Sequence, residues 1–370
     1  MLYLDNAATT RRKPRAVYAA MLRYAMFDGG NAGRGLNKLS LGGIRAVIAA
    51  QEAAAELFNI DNESNIVFTQ NATYALNLAI LGSLARGDGI AVSAMDHNSV
   101  LRPAALHGNY TVAAADDVGY VSPLGFRKAI NNKTKLVVCT HVSNVCGTVQ
   151  PVLEIARAAH SAGAVFLLDA SQSAGAADID VGKLGVDMLA CPGHKGLMGP
   201  MGTGILYVRD PARLKAVIVG GTGSDSESID QPETMPDKLH SGTLNIPAIA
   251  GLREGVKFIL REGAENIGKH EKILADALRG ELKNMSGVTV YGKPDTGIVL
   301  FNVSGLESAE CAERLGDDII VRAGYHCAPH AHKALGTYNG GAVRASFGYY
   351  NTKKDVKRFV DAVYKNSRGK

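Results

Sequence analysis

The sequence predicts an α/β fold with a largely parallel sheet, joined to a smaller α+β unit. Three observations carry this. Short apolar runs alternate with longer segments of helical periodicity through the first half of the chain. The 370 residues are too many for one small core and call for two domains, or one large domain with an appendage. Near residue 222 the composition shifts, and Gly, Ser, Asp, Glu and Pro dominate as far as Thr243.

In chain order, residues 1–13 form a lead segment expected to pack with the small domain. Ile44, Val47, Ile48, Ala54 and Leu57 recur at helical spacing over 44–58. Residues 66–68 form a short apolar strand, followed by an apparent helix over 74–84. Residues 89–92, 136–138, 165–168 and 186–190 read as further buried strands, and Leu153, Ile155, Ala156 and Ala159 as a helix before the third of these. Ligands of such sheets sit at the carboxyl ends of strands, where loops converge. Residues 222–243 read as a long loop, a kind of segment that is often functional. Helices over about 247–262 and 264–285 and strands over 288–291 and 298–303 make the smaller unit. The expected division is 14–250 for the large domain and 251–370 for the small one.

Bulk properties exclude several classes. A net charge of +5 is small for this length, and the basic runs are only Arg11-Arg12-Lys13 and Lys353-Lys354, so nucleic-acid binding is not expected. The slight excess suits an anionic small molecule. The start, Met1-Leu2-Tyr3-Leu4-Asp5, lacks the basic and apolar regions of a signal peptide. No apolar run approaches the roughly 18 residues of a membrane helix. A cytoplasmic protein without membrane contact is expected. The cysteines, Cys139, Cys146, Cys191, Cys311 and Cys327, are odd in number and scattered, so reduced thiols are the default.

Two segments carry chemistry. In Leu167-Leu168-Asp169-Ala170-Ser171-Gln172 an acid follows a buried strand directly. It either caps a helix or meets a cationic partner, since a buried unpaired charge is very costly. In Cys191-Pro192-Gly193-His194-Lys195-Gly196 glycines surround one lysine. A solvated surface lysine needs no such setting, whereas a Schiff-base lysine needs a close-approach loop and a lowered pKa. Pyridoxal 5′-phosphate chemistry pairs such a lysine with an Asp at the pyridinium nitrogen.

Ordered fragments along nearly the whole chain then resemble the class V branch of fold-type I pyridoxal-phosphate enzymes, specifically the cysteine desulfurase and selenocysteine lyase group. They are Tyr3-Leu4-Asp5-Asn6-Ala7-Ala8-Thr9-Thr10, Val67-Phe68-Thr69-Gln70-Asn71-Ala72-Thr73, Asp96-His97-Asn98, His141-Val142-Ser143-Asn144-Val145-Cys146-Gly147-Thr148, the Asp169 and Lys195 segments, Val321-Arg322-Ala323-Gly324-Tyr325-His326-Cys327-Ala328 and Val343-Arg344-Ala345-Ser346-Phe347. The resemblance implies a seven-stranded, mainly parallel sheet in the large domain. It implies Lys195 as the cofactor's Schiff-base lysine and general base, Asp169 at the ring nitrogen, Gln172 on the phenolic oxygen and His97 stacked on the ring and moving protons. Ala72, Thr73 and His194 would hold the phosphate, the first two at a helix N-terminus. Thr243 resembles a threonine that reaches the phosphate of the other subunit, which implies a homodimer. Asn144, Arg344, Arg322 and Ala8 match positions around the substrate, and Arg offers its carboxylate a bidentate fork.

Cys327 is the one cysteine in a basic setting, with Arg322 and His326 before it. The implied reaction converts L-cysteine to L-alanine and leaves sulfur as a persulfide on Cys327, for transfer to an acceptor protein. L-selenocysteine is the other substrate the resemblance offers. Iron–sulfur cluster assembly, tRNA thiolation and selenium metabolism are the pathways open to such an activity. The compact spacing from Arg322 to Cys327 resembles the second desulfurase group, which often needs a partner to accept sulfur. Zinc on His326, Cys327, His330 and His332 fits poorly, because the spacing matches no structural zinc pattern, and no metal is expected. Two positions depart from the family. Pro192 stands where a serine is usual, removing a hydroxyl and an N–H, and Gly220 to Ser224 could supply donors instead. Asn37, in the family-like segment Asn31 to Ser40, replaces a frequent histidine. The rivals are a selenocysteine lyase, another class V aminotransferase or a β-lyase, and a catalytically poor scaffold for a sulfur-carrier protein. A scaffold has no need of Lys195, Asp169, His97 and Cys327 together.

Overall fold

In a computed structural model, the strands read from sequence assemble into a central sheet with helices on both faces. The structure describes residues 1–32, 37–293 and 295–368. Gly33 to Leu36, part of the family-like segment, lie outside them. The chain opens with β1 (Leu2–Tyr3). Strands β2 (Ile66–Thr69), β3 (Gly89–Ser93), β4 (Tyr110–Ala113), β5 (Thr134–Thr140), β6 (Val165–Asp169), β7 (Met188–Pro192) and β8 (Gly204–Val208) follow. Among the described residues they form a seven-stranded sheet in the order β2-β8-β7-β6-β5-β3-β4. Strands β3 to β7 pair in parallel, and β8 runs antiparallel to both β7 and β2. The link from Pro192 to Gly204 contains no helix. A parallel return needs a crossover of a dozen or more residues, so β8 comes back as a hairpin partner.

Each central strand is buried on both faces, which is why it reads as a continuous apolar run. Phe68, Val137, Phe166, Leu168 and Leu189 face one core. Their neighbours Val67, Leu136, Val138, Leu167 and Met188 face the other. Helix α1 (Arg15–Arg23) precedes α2 (Lys38–Phe58), which covers the first core through Val47, Ala54 and Phe58. Helices α3 (Ala72–Ser83) and α4 (Asn98–His107) cover the second. Helices α5 (Pro123–Ala129) and α6 (Val152–Ser161) lie on the first face. Helix α2 starts earlier than its apolar periodicity because Asn37 caps it, accepting the Ser40 N–H at 2.9 Å. The residue that replaces a family histidine therefore has a local structural task.

The long loop ends at α7 (Ile246–Glu262), and α8 (Ala264–Lys283) follows. Strands β9 (Val288–Tyr291), β10 (Ile298–Val303), β12 (Arg322–Gly324) and β13 (Ala342–Ser346) make a four-stranded sheet in the order β12-β13-β10-β9. Strand β11 (Ile319–Ile320) pairs in parallel with β1. Helices α9 (Ser308–Arg314), α10 (Pro329–Ala334) and α11 (Lys353–Arg368) complete this part. Its core joins Leu274 and Leu278 of α8, Val299 and Phe301 of β10, and Phe359 of α11. Leu2 and Leu4 pack in the same core, so the chain's first residues are held beside β13. Among the described residues no helix is long and apolar enough to cross a membrane.

Candidate active site

The carboxyl ends of β2, β3, β5, β6 and β7 point the same way, and the residues just beyond them converge. Asn71, Ala72 and Thr73 follow β2, His97 and Ser99 follow β3, Thr140 ends β5 and Asn144 follows it, and Asp169 ends β6. Pro192 ends β7, and His194 and Lys195 follow. Together with Ser171 and Gln172 they line a cavity of about 110 Å³. A second cavity, of about 340 Å³, lies against Asn6, Ala7, Thr10 and Glu271 and shares Ser171, Gln172 and Lys195 with the first. Lys195 thus stands in the wall between the two.

The glycines around Lys195 answer a packing demand. A Cβ on Gly193 would lie 2.1 Å from Thr203 Oγ1, and one on Gly196 would lie 2.3 Å from the Ala174 carbonyl oxygen. Real Cβ contacts do not come that close, so only glycine lets the turn after β7 press into the fold. Burial pushes the Lys195 ammonium down to about 8, against the pull of the Asp169 carboxylate. Asp169 is buried, and its Oδ1 accepts the Ser171 N–H at 2.9 Å. It forms no ion pair among the described residues.

His97 is fixed by its own helix terminus. It caps α4, its Nδ1 accepting the Ser99 N–H at 3.0 Å, which leaves a neutral ring its proton on Nε2. Burial holds its pKa below the usual imidazole value. Ser99 Oγ lies 2.9 Å from that Nδ1 and 2.8 Å from Thr73 Oγ1, linking His97 to the start of α3. Ala72 and Thr73 are the first residues of α3, where N–H groups have no intrahelical acceptor. Burial pushes His194 down to about 4, and its carbonyl oxygen accepts from the Thr10 N–H and the Lys13 ammonium, strapping the chain's start over the turn.

The second sheet brings the arginines. Arg344 is buried, donating from Nη1 to the Asn144 carbonyl at 2.6 Å and from Nη2 to Asp5 at 2.9 Å, while its Nε has no partner. Arg322, half-exposed, grips the same Asp5 through Nε and Nη2. One carboxylate therefore holds both guanidiniums. The Asn144 side chain donates to the His326 carbonyl at 2.7 Å, and the Asn98 N–H donates to the Cys327 carbonyl at 2.7 Å. That last bond sets Cys327 one residue from the His97 cap. The Cys327 side chain is exposed, while the other four cysteines are buried.

Other residues expected at the site have the following surroundings. Gln172 lines the cavity, but its Nε2 donates to the Ala7 carbonyl at 2.9 Å. Ala8 lines neither cavity described above, and it is Ala7 that does. Thr243 is exposed in a separate groove with Tyr74 and Ile218. Gly220 and Gly221 bond to Gln231 and Gly242 rather than filling the gap left by Pro192, which itself lines the cavity. Asp5 and Ser99 gain roles that no sequence signal had assigned. Replacing Asp5 with Asn leaves Arg344 buried without its anion, a loss of about 3 kcal/mol. Urea unfolding should show a lower midpoint at an unchanged slope; an equal midpoint would show the pair to be without net worth.

The pattern of the aminotransferase class-V family matches residues 2–359. A probable cysteine desulfurase of Methanothermobacter thermautotrophicus is 38% identical, aligned over 96% of this chain and 92% of its own. A cysteine desulfurase of Haloferax volcanii is 31% identical over 98% of this chain and 88% of its own. Among solved structures, the apo cysteine desulfurase of Thermococcus onnurineus superposes with a TM-score of 0.93 at 33% identity, covering 100% of this chain and 95% of that one. The cysteine desulfurase of Escherichia coli in its S-sulfonic acid form gives 0.89 at 28% identity, covering 98% and 94%. The chain belongs to the class-V aminotransferase family, among its cysteine desulfurases.

Proposed function

We propose that this chain takes sulfur from L-cysteine onto Cys327 and releases L-alanine, using pyridoxal 5′-phosphate bound at Lys195. One observation carries the reading most: the bond from Asn98 to Cys327 places the only exposed cysteine beside the His97 wall of the Lys195 cavity. The names of the relatives point the same way.

The donor set suits the cofactor. Asp169 is a buried carboxylate that forms no ion pair among the described residues, as a site for a protonated ring nitrogen requires. The α3 N-terminus at Ala72 and Thr73, with the Thr73 and Ser99 hydroxyls, suits a phosphate, and His194 lies at the same cavity. Lys195 would hold the aldehyde carbon, His97 would cover the ring, and Gln172 would turn toward its oxygen. When bound, the cofactor supplies an electron sink for the carbon that carries the substrate's amine.

The chain's own groups do the rest. Arg344 and Asn144 orient the substrate carboxylate. Lys195, with its ammonium at about 8, keeps a useful neutral fraction near pH 7 and takes the proton from the substrate Cα. The Cys327 thiolate attacks the substrate sulfur. The new S–S bond forms as the Cβ–S bond breaks, and the bonding pair stays with Cβ. A proton from His97 Nε2, replaced by the one the substrate thiol loses, completes the methyl group of alanine, and the Lys195 ammonium returns its proton to Cα. L-Cysteine and one thiol thus become L-alanine and one persulfide, whose outer sulfur passes to a thiol acceptor.

A second copy of the chain completes the reading. Thr243 shares its groove with Tyr74 and Ile218, both exposed large apolar side chains. A homodimer would cover them and bring Thr243 to the partner's phosphate site. Free thiols throughout suit a cytoplasmic setting. The test is a product assay on the purified holoprotein with L-cysteine and dithiothreitol. Equal amounts of alanine and sulfide are expected; a keto acid, or no alanine while the visible cofactor band persists, would remove the desulfurase reading.

A further inference from the structure

The loop that carries Cys327 is bent against its own preference. His326 and Cys327 have φ of +48° and +56°, consecutive left-handed residues that both bear a Cβ. Something must hold that bend, and a buried chain of side chains lies directly beneath it. His326 Nδ1 is 3.1 Å from His332 Nε2, and His332 Nδ1 is 2.8 Å from Thr337 Oγ1. His326 Nε2 faces the Arg322 carbonyl at 3.4 Å. All three side chains are buried, and the two imidazoles stack nearly parallel.

One direction of donation suits the contacts of the row. The Arg322 carbonyl can only accept, so His326 carries its proton on Nε2 and its Nδ1 accepts. His332 Nε2 then donates, and His332 Nδ1 accepts from the Thr337 hydroxyl. Each ring nitrogen of the row has a complementary partner in this arrangement. It needs both rings neutral, and burial pushes His332 down to about 4 and His326 further still. The same two loop residues grip the large sheet's side of the site through the bonds to Asn144 and Asn98.

The geometry points to the Thr337–His332–His326 row as the positioning device of Cys327, holding the left-handed bend from which its sulfur reaches the substrate. These are positioning residues, acting through the loop and not on the substrate. The inference rests on the desulfurase reading for its kinetic arm only.

The test uses the full-length holoprotein and compares Thr337→Val, which removes the donor at nearly constant shape, with Thr337→Ser, which keeps it. Alkylation of Cys327 by iodoacetamide reads the loop whether or not the chain acts on cysteine. Thr337→Val should change the alkylation rate about fivefold and lower kcat for alanine about tenfold with KM within about twofold, and Thr337→Ser should restore both. A Thr337→Val protein that alkylates and turns over like the wild type overturns the proposal, and so does a Thr337→Ser protein as impaired as the valine variant. Should Thr337→Val lose the visible cofactor band, His332→Phe, which keeps a stacked ring but no hydrogen bonds, is held to the same two readouts. Wild-type protein that makes no alanine removes the function but leaves the alkylation comparison decisive for the loop.

Discussion

Cys327→Ser protein should form neither alanine nor sulfide from L-cysteine while keeping the visible band of its bound cofactor. A serine hydroxyl is almost wholly protonated at neutral pH and attacks divalent sulfur poorly, whereas a thiolate is the natural nucleophile for such an exchange. No other cysteine can take over. Cys139, Cys146, Cys191 and Cys311 are buried, and burial raises the thiol pKa of Cys139, Cys191 and Cys311. Cys327 is exposed and outside every apolar core, so the substitution has no packing cost to confuse the result. The fall in turnover should be at least about 1000-fold, the scale seen when a nucleophile is deleted. Alanine and sulfide measured together check it. The same variant offered L-selenocysteine separates the rival: undiminished alanine from that substrate would identify a lyase whose chemistry does not pass through Cys327.

What the sequence disclosed follows from how locally each feature is written. The central strands were legible because burial on both faces leaves unbroken apolar runs. The Lys195 turn was legible because close approach at Gly193 and Gly196 admits one residue type. The direction of strand β8 is not legible, because an apolar run such as Ile205 to Val208 marks a buried strand without saying whether it pairs parallel or antiparallel. The Asp5 carboxylate joins Arg322 and Arg344 from the opposite end of the chain, and an ion pair of that span leaves no mark in the neighbouring residues. In sequence His332 resembles a metal ligand, since spacing alone cannot tell a ligand from a hydrogen-bonded ring. Asn37 looked like a lost functional histidine and is a helix cap. The role proposed for Thr243 calls on a second chain, and nothing in its neighbouring residues describes one.

Lys195→Ala should abolish both covalent cofactor capture and turnover. Wild-type holoprotein treated with borohydride should retain the cofactor through denaturation, and the variant should release all of it. Activity should fall by about four orders of magnitude or more, since the variant loses the anchoring amine and the base together. The pH dependence gives the sharper check. With its ammonium at about 8, Lys195 is neutral in roughly a tenth of molecules at pH 7, against fewer than about one in a thousand for an ordinary lysine. Uptake of cofactor by wild-type apoprotein should therefore quicken as pH rises and level off above about 8; a rate still climbing tenfold per pH unit at 9 would show an unperturbed lysine. Stability carries the same sign. The folded pKa lies below the unfolded one, so the contribution of this lysine is fully present above the unfolded value and is lost as pH falls through about 8. At pH 7 the amine is a net cost to the apo fold, and Lys195→Ala apoprotein should melt no lower than wild type there. A variant that melted clearly lower would mean that the Asp169 carboxylate outweighs burial, and the amine would then be too strongly protonated to capture the cofactor at neutral pH.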